Sequence, residues 1–456
     1  MSFVNREHEL EQLGSWWSSP GAGMAIVWGR RRVGKTALLQ HFAAELPTVF
    51  HTGGGRPPAA ELAALSRAAA PLLADGARDL GARPFTDWDD ALETLAFAAR
   101  NKRLLLVLDE LPALAETSPE LPSLIRAAWD RVRSRTKLKL LLCGSAVRVM
   151  EAMQEERAPL YGRLDLALLL HPFRPHEAAR MLPSLSPANR ALVWGLVGGM
   201  PLYLQWWDQS KSVSANLAHL ACTPGGQLLT EGQLVLATEG EGGDLARQVL
   251  YAIAAGRTKF NEIEQAVRAD PGRTLERLVS LRLVERVVPV TEDPRRTRRR
   301  TYRIADNFLA FWLGLLDRYR PEIERGLGES ILPVLLDSID DQMGGPWEEA
   351  FRDHLRRLAS SGELGDEIVA VGSFWTAAAD ATEIDAVALA GRGREAVLIG
   401  EAKWAKRVDA DRLRVGLERK AEALPRLAAE PRYAICAREK VNNAGDVLAI
   451  TAADIF

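Results

Sequence analysis

The pattern of apolar and polar positions predicts buried strands alternating with helices in the first third of the chain. Continuous apolar runs, as in residues 104–108, are typical of strands that are covered on both faces in a parallel sheet. Leu10, Leu13 and Trp17 recur at helical spacing, so a first helix is expected over residues 3–18. Strands are expected at 24–28, 48–53, 103–110 and 138–143, with mostly helical structure over 57–100.

Farther along the chain the pattern changes twice. Residues 173–238 read as helical throughout. Residues 245–304 read as three short helices and a hairpin of two strands, 284–290 and 301–304, which together predict a winged helix. A helix over 306–319 follows. The last region predicts an α-β-β-β-α-β order, with a helix from Trp347, strands at 367–375, 383–390 and 395–404, a helix at 409–427 and a strand at 432–437.

Composition sets limits on these elements. A length of 456 residues is enough for about three domains. The net charge of −2 gives no overall attraction to nucleic acid or membranes, and the three scattered cysteines suit a reducing compartment. The N-terminus has no signal-peptide pattern, and no apolar run is long enough to cross a bilayer. A cytoplasmic protein without a membrane partner is expected.

The first chemical motif follows the first apolar run. Residues 29–36 read Gly-Arg-Arg-Arg-Val-Gly-Lys-Thr, the G-x-x-x-x-G-K-T pattern of a phosphate-binding loop, between a predicted strand and a helix. Backbone N–H groups and the helix N-terminus would surround the phosphates of ATP. Lys35 would reach the β- and γ-phosphates, and Thr36 would hold Mg²⁺. The predicted nucleotide contacts are Gly29, Arg30, Arg31, Arg32, Val33, Gly34, Lys35, Thr36 and Ala37.

Two acids end the strand predicted at 103–110. Asp109 would lie at the carboxyl edge of the sheet, beside the phosphate loop, and is expected to hold Mg²⁺ through water. Glu110 would activate the attacking water. Ser145, after the next strand, is expected either to reach the γ-phosphate or to cap the following helix. Arg163 is either an arginine finger, acting in cis or from a neighbouring copy, or a surface residue.

A second group of acids lies in the last region. Asp385 is followed by Glu401-Ala402-Lys403, and lysine is rare in this chain, at 10 residues against 48 arginines. The two carboxylates would bind one or two Mg²⁺ ions that polarise a phosphodiester, and Lys403 would orient water or stabilise the developing charge. Glu348 would supply a third acid.

The densest charge run lies at the tip of the predicted winged-helix hairpin. A solvated loop is one interpretation, but a wing commonly follows the sugar–phosphate backbone, which favours contact with double-stranded DNA. The predicted contacts are Arg273, Arg277, Arg295, Arg296, Arg298, Arg299, Arg300 and Arg303.

The chain resembles the archaeal-type ATPase family, which is related to AAA+ and STAND proteins. The matching segments are Arg6-Glu7, GRRRVGKT, LLLVLDE, CGS at 143–145, PLYGR, GGMPLYL and YRIADNFLAFW. The last region, with WEEAF, EIDAVAL and GEAKW, is similar to PD-(D/E)xK nucleases. The resemblance implies an α/β fold class: a P-loop NTPase core with a parallel sheet (1–170), a helical lid (171–240), a winged helix (241–325) and a restriction-nuclease-like domain (326–456).

Three hypotheses about function remain open at this point. In the first, ATP binding or hydrolysis controls DNA binding and a metal-dependent nuclease. In the second, the chain is a STAND-type regulatory switch whose last domain is an inactive scaffold. In the third, it is an oligomeric DNA motor. Retention of Asp385, Glu401 and Lys403 favours the first, and assembly into a homo-oligomer is compatible with each.

Overall fold

The chain forms two compact units, Met1–His171 and Pro172–Phe456. The computed structural model describes residues 3–73, 79–238, 243–365, 367–376 and 382–456. The finer division of the second unit into lid, winged helix and C-terminal domain stays a prediction, and its boundary at 240/241 lies outside the described residues. None of the helices within those ranges is long and apolar enough to cross a membrane.

The first unit alternates strands and helices. Its elements are α1 (Glu7–Ser18), β1 (Gly23–Trp28), α2 (Lys35–Ala43), β2 (Thr48–Thr52), α3 (Pro58–Ala69), α4 (Trp88–Ala98), β3 (Leu104–Asp109), α5 (Leu111–Thr117), α6 (Leu121–Val132), β4 (Leu138–Gly144), α7 (Val147–Ala152) and β5 (Leu166–Leu169).

The strands of this unit form one parallel sheet in the order β2-β3-β4-β1-β5. β3 and β4 are buried along their whole length, because helices cover both faces. The predicted parallel sheet is confirmed. β5 was not predicted, since its four residues form an edge strand that is only partly buried. The carboxyl ends of β1, β3 and β4 meet at one edge, where ligands bind in such sheets.

The second unit begins with helices and ends with a sheet. Its helices are α8 (Pro175–Met181), α9 (Pro187–Val197), α10 (Pro201–Trp206), α11 (Val213–Leu220), α12 (Gln227–Thr238), α13 (Gly243–Ala254), α14 (Phe260–Val267), α15 (Gly272–Ser280), α16 (Asn307–Phe311), α17 (Arg320–Glu322), α18 (Gly328–Gln342), α19 (Gly344–Ser360), α20 (Ala410–Ala421) and α21 (Ala452–Ile455). Its strands are β6 (Val284–Val287), β7 (Thr301–Ile304), β8 (Ile368–Trp375), β9 (Glu383–Ala390), β10 (Glu395–Lys403), β11 (Arg407–Asp409), β12 (Leu427–Ala437), β13 (Lys440–Asn442) and β14 (Leu448–Thr451).

Helices α13, α14 and α15 precede the antiparallel pair β6–β7, in which Val284 lies opposite Ile304. β6 ends at Val287, three residues earlier than predicted. Pro289 has no N–H to donate to a ladder, and the N–H of Val290 instead donates to the carbonyl of Ser373 on β8 at 2.8 Å. The hairpin is therefore tied to the second sheet of the same unit.

That second sheet has the order β14-β12-β10-β9-β8. β8, β9 and β10 are antiparallel neighbours, whereas β10, β12 and β14 run parallel. α19 packs closely on β10: a Cβ added to Gly400 would lie 2.6 Å from the ring of Phe351. This close approach brings the start of α19 to the end of the sheet that carries Asp385 and Glu401.

Candidate functional site

The phosphate loop joins β1 to α2 in the first unit. A Cβ on Gly29 would lie 2.5 Å from the Leu170 carbonyl oxygen, so only glycine fits there. Arg32 and Gly34 have positive φ angles of 68° and 93°, which produce the tight turn before the helix. The side chain of Lys35 is buried inside the loop, where its ammonium donates to the carbonyls of Gly29 (2.9 Å) and Arg30 (3.0 Å).

Arg6 holds the loop from the outside. Its guanidinium donates to the Val33 carbonyl at 3.1 Å, to the His171 carbonyl at 2.7 Å and to Glu9 at 2.8 Å. Arg6 is only 6% exposed. The residue pair Arg6-Glu7 marked the family resemblance in the sequence, but its anchoring role depends on contacts distant in the chain.

Thr36 and Asp109 meet at the carboxyl edge of the sheet. The Thr36 hydroxyl donates to Asp109 Oδ2 at 2.9 Å, and Asp109 is fully buried at the end of β3. Hydroxyl and carboxylate oxygens are the hard ligands that Mg²⁺ prefers. The chemistry of this donor pair therefore fits the magnesium ion that accompanies ATP.

Glu110 and Ser145 form the next contact along the same edge. Glu110 has left-handed backbone angles (φ 52°, ψ 48°), an uncommon conformation for a residue with a Cβ. Its Oε2 accepts from the Ser145 hydroxyl at 2.9 Å and from the Ser145 N–H at 3.3 Å. The residue that caps α7 is Ala146. The Ser145 hydroxyl is thus directed at Glu110 rather than at the following helix.

Arg163 lies in a bidentate ion pair. Its Nε and Nη2 donate to the two carboxylate oxygens of Asp130 on α6 at 2.9 and 2.7 Å, and its Nη1 donates to the Tyr161 carbonyl. To act as an arginine finger, Arg163 would first have to leave its ion pair with Asp130.

The arginine-rich segment of the hairpin divides into exposed and engaged residues. Arg299 pairs with Glu292 and donates to the Trp375 carbonyl, Arg300 donates to the Thr297 carbonyl, and Arg303 pairs with Glu285 and Glu349. Arg277 on α15 is only partly exposed. The predicted DNA contacts that remain exposed are Arg273, Arg295, Arg296 and Arg298.

The predicted acids of the second sheet lie together. The Ala402 N–H donates to Asp385 Oδ2 at 2.8 Å, which joins β9 to β10 at this point. Glu401 Oε1 contacts the ammonium of Lys403 at 2.7 Å, and Glu401 Oε2 accepts from Lys420 of α20 at 3.0 Å. Burial raises the pKa of Asp385 above its ordinary value, although the Ala402 N–H and Lys403 oppose the shift.

Glu348 and its neighbours on α19 complete this group. Burial and the charge of Asp385 raise the pKa of Glu348 to about 7. Arg352 lies 3.5 Å from Glu348, donates to Glu349 at 3.2 Å, and donates to the Asp385 backbone carbonyl at 2.8 Å. Glu348 also lines a cleft of about 800 Å³ between the hairpin and α19.

The donor set around Asp385 fits a hard cation by its chemistry, because carboxylate oxygens are the ligands that Mg²⁺ prefers. In the part of the chain that the structure describes, however, no group of three or more His, Cys, Asp or Glu side chains is arranged to hold a metal ion.

Comparison with known proteins relates the region that contains the phosphate loop to a family of ATPase domains. A family model of ATPase domains found predominantly in Archaea matches residues 3–206, which include the phosphate loop, Asp109 and Glu110. Residues 3–206 are therefore similar to this family of ATPase domains. A second model, of archaeal and bacterial proteins of unknown function, matches residues 312–415. The resemblance to the archaeal-type ATPase family is confirmed, and residues 3–206 form a nucleotide-binding ATPase domain, whereas the similarity of the last region to nucleases stays a prediction.

Similar proteins match different shares of the chain. An uncharacterized protein of Methanocaldococcus jannaschii is 24% identical over 422 residues, which cover 90% of this chain and 89% of that one. An uncharacterized ATP-binding protein of the same organism is 52% identical over 40 residues, 9% of this chain and 68% of that one. A solved Walker-type ATPase of Pyrococcus abyssi matches with a TM-score of 0.50 and 21% identity, covering 68% of this chain and 96% of that one, and supports the fold.

Three residues of these sites have roles that were not predicted from the sequence: Arg6, Arg352 and Lys420. Each acts through a partner far away in the chain. Only Lys420 could have been singled out from the sequence, because it is one of just ten lysines in an arginine-rich chain.

Proposed function

We propose that this protein hydrolyses ATP at the phosphate loop and that its nucleotide state regulates binding to double-stranded DNA. The observation that carries the proposal is the chain of contacts from Thr36 through Asp109 and Glu110 to Ser145 along one edge of the sheet. In this arrangement Lys35 compensates the phosphate charge, and Thr36 and Asp109 hold the Mg²⁺ that neutralises charge developing on the phosphates.

Glu110 is the proposed general base. It follows Asp109 directly, and its left-handed backbone directs the carboxylate towards Ser145, the residue after the neighbouring strand β4. Ser145 positions this carboxylate by a hydrogen bond to a charged acceptor, a class that contributes about 1.5–3 kcal/mol. A base that accepts a proton from water must be held within hydrogen-bond reach of that water.

Steady-state ATP hydrolysis and ATP binding of three variants test the proposal. Lys35→Ala should abolish binding. Glu110→Gln should bind ATP with unchanged affinity but turn it over about 10²- to 10⁴-fold more slowly, the range for loss of a general base. Glu116→Gln, an exposed glutamate on α5, is the matched control and should resemble wild type. Wild-type turnover by Glu110→Gln would disprove the assignment of the base.

The DNA part of the proposal rests on the exposed arginines of the hairpin, Arg295, Arg296 and Arg298, together with Arg273 on α15. Arginine binds phosphate oxygens without reading sequence, so the affinity should depend strongly on salt.

A second candidate function is metal-dependent DNA cleavage by the C-terminal domain, proposed here to be nuclease-like. The observation that favours it is the Ala402–Asp385 hydrogen bond, which brings Asp385 beside Glu401 and Lys403. In this candidate Asp385 and Glu401 hold the cation, whose role is to polarise the phosphodiester, and Glu348 is a third acid with access to the cleft.

Incubation of plasmid DNA with the protein and Mg²⁺ or Mn²⁺, with and without ATP, tests this candidate. Asp385→Asn and Lys403→Ala should eliminate cleavage and leave ATP hydrolysis unchanged. Glu395→Gln, at the opposite end of β10, is the control and should cleave normally. If wild type cleaves no substrate under any of these conditions, the regulatory switch with an inactive scaffold is the better description.

A further inference from the structure

The carboxylate of Glu401 is fully engaged by two lysines from different elements. Lys403 contacts Oε1 at 2.7 Å and belongs to the same strand. Lys420 contacts Oε2 at 3.0 Å and belongs to α20. The Glu401 side chain is only 8% exposed. Each oxygen of this proposed metal ligand therefore already has a cationic partner.

The way α20 packs places Lys420 beside Glu401. The Asp409 side chain caps the start of the helix by accepting from the Arg412 N–H at 3.0 Å, and Leu417 and Ala421 are buried in the core beside the sheet. Lys420 lies in the last turn, where a cation is favoured by the helix dipole. Its side chain remains 34% exposed, so the ammonium can move into solvent while the helix stays in place.

Electrostatics explains why Glu401 needs such partners. Burial acts to raise the pKa of Glu401, but the hydrogen bonds and charges of Lys403 and Lys420 outweigh it, and the pKa lies below its ordinary value. The two ammonium groups, at 2.7 and 3.0 Å, compensate the charge of this carboxylate, because a buried charge is costly unless it is paired. A divalent cation would satisfy the same requirement, and it would repel an ammonium held at the same oxygen.

We propose that Lys420 is the resident counter-cation of Glu401, and that a divalent cation binds at this carboxylate only when Lys420 withdraws. This inference rests on the second candidate function for the presence of a metal site. Lys403 is retained in both states as the lysine of the proposed reaction, whereas Lys420 controls whether the site is open to a metal ion.

Calorimetric titration of the full chain with Mn²⁺ tests the inference without measuring cleavage. Lys420→Gln removes the charge and keeps most of the side-chain stem, and it should bind Mn²⁺ about ten- to a hundredfold more tightly than wild type. That range is expected when one charge-assisted hydrogen bond no longer competes for the carboxylate. Lys420→Arg keeps the charge and should resemble wild type.

Two controls locate the effect. Arg419→Gln removes the same charge from the neighbouring, exposed position of α20 and should leave Mn²⁺ affinity within about twofold of wild type, because it does not contact Glu401. The double variant Lys420→Gln/Asp385→Asn should not show the increase in Mn²⁺ affinity that is expected for Lys420→Gln. A second substitution, Lys420→Met, repeats the test if Lys420→Gln does not fold.

Equal or weaker Mn²⁺ binding by Lys420→Gln, or an equal gain in Arg419→Gln, would overturn the inference whether or not the protein cleaves DNA. Tighter Mn²⁺ binding without cleavage by any variant would instead support the inference and reject the nuclease.

Discussion

The hairpin arginines provide the most quantitative prediction. Arg295, Arg296 and Arg298 are exposed, and simultaneous replacement by alanine should remove up to three phosphate contacts. Each contact contributes about 0.9 to the slope of log K against log salt, so the slope for duplex DNA should become shallower by about 2.7. When the salt concentration rises from 50 to 200 mM, the factor by which DNA affinity falls should therefore be about 40 times smaller in the variant than in wild type.

Fluorescence anisotropy with a labelled duplex, repeated over a salt series and with two unrelated sequences, measures both quantities. The effect should be the same for both sequences, because phosphates carry no direct sequence information. A matched triple variant, Arg318→Ala, Arg325→Ala and Arg392→Ala, removes three exposed arginines outside the hairpin. This control should keep the wild-type slope.

Arg299 serves as a second control within the hairpin itself. It is held by Glu292 and by the Trp375 carbonyl, so Arg299→Ala should lower thermal stability and leave the salt slope nearly unchanged. The reasoning is refuted if the exposed triple variant keeps the wild-type slope, or if Arg299→Ala changes the slope by as much as an exposed arginine does.

Three shorter predictions follow from contacts described above. Ser145→Ala should reduce ATP turnover about tenfold or more without changing ATP affinity, measured by steady-state kinetics and calorimetry, since its hydroxyl contacts Glu110 and not the loop. Gly400→Ala should destabilise the protein by about 1–3 kcal/mol in thermal unfolding, because its Cβ would lie 2.6 Å from a ring atom, whereas Gly416→Ala, with open space around it, should stabilise by about 1 kcal/mol. The pKa of Glu349 is lowered to about 2, because its arginine partners outweigh burial. The ionised Glu349 therefore contributes fully to stability above its ordinary pKa, and this contribution is lost as the pH falls from about 4.5 towards 2. Thermal melts over that interval should show that Glu349→Gln loses less stability than wild type.

The sequence correctly predicted those helices and strands that have a clear pattern of apolar residues within their own segment. Long apolar runs such as β3 and β4 were placed within a residue or two, because strands buried on both faces have continuous apolar patterns. β5 and β14 were missed, because each has only four residues and is recognisable as a strand only from its position at the edge of a sheet. The end of β6 was also misplaced, because Val290 pairs with a strand more than eighty residues later.

In the candidate sites, too, the sequence predicted residues that lie in one contiguous motif but not residues that are brought together by the fold. The phosphate loop is contiguous, so its residues could be named from the motif alone. The hairpin arginines could be counted but not sorted, since the glutamates that engage Arg299 and Arg303 come partly from other segments. Lys420 could not be assigned, because nothing local marks a helix residue that contacts a strand residue nineteen positions earlier.

The contact between Arg303 and Glu349 bears on how the second unit folds. Arg303 belongs to the hairpin and Glu349 to α19, and Arg352 extends the contact to the Asp385 carbonyl on the sheet. Separating the chain between residues 325 and 326 would break this contact and the Val290–Ser373 hydrogen bond, although Arg303 keeps Glu285 and Glu349 keeps Arg352 and Arg356. The hairpin and the second sheet are thus expected to unfold together as one cooperative segment.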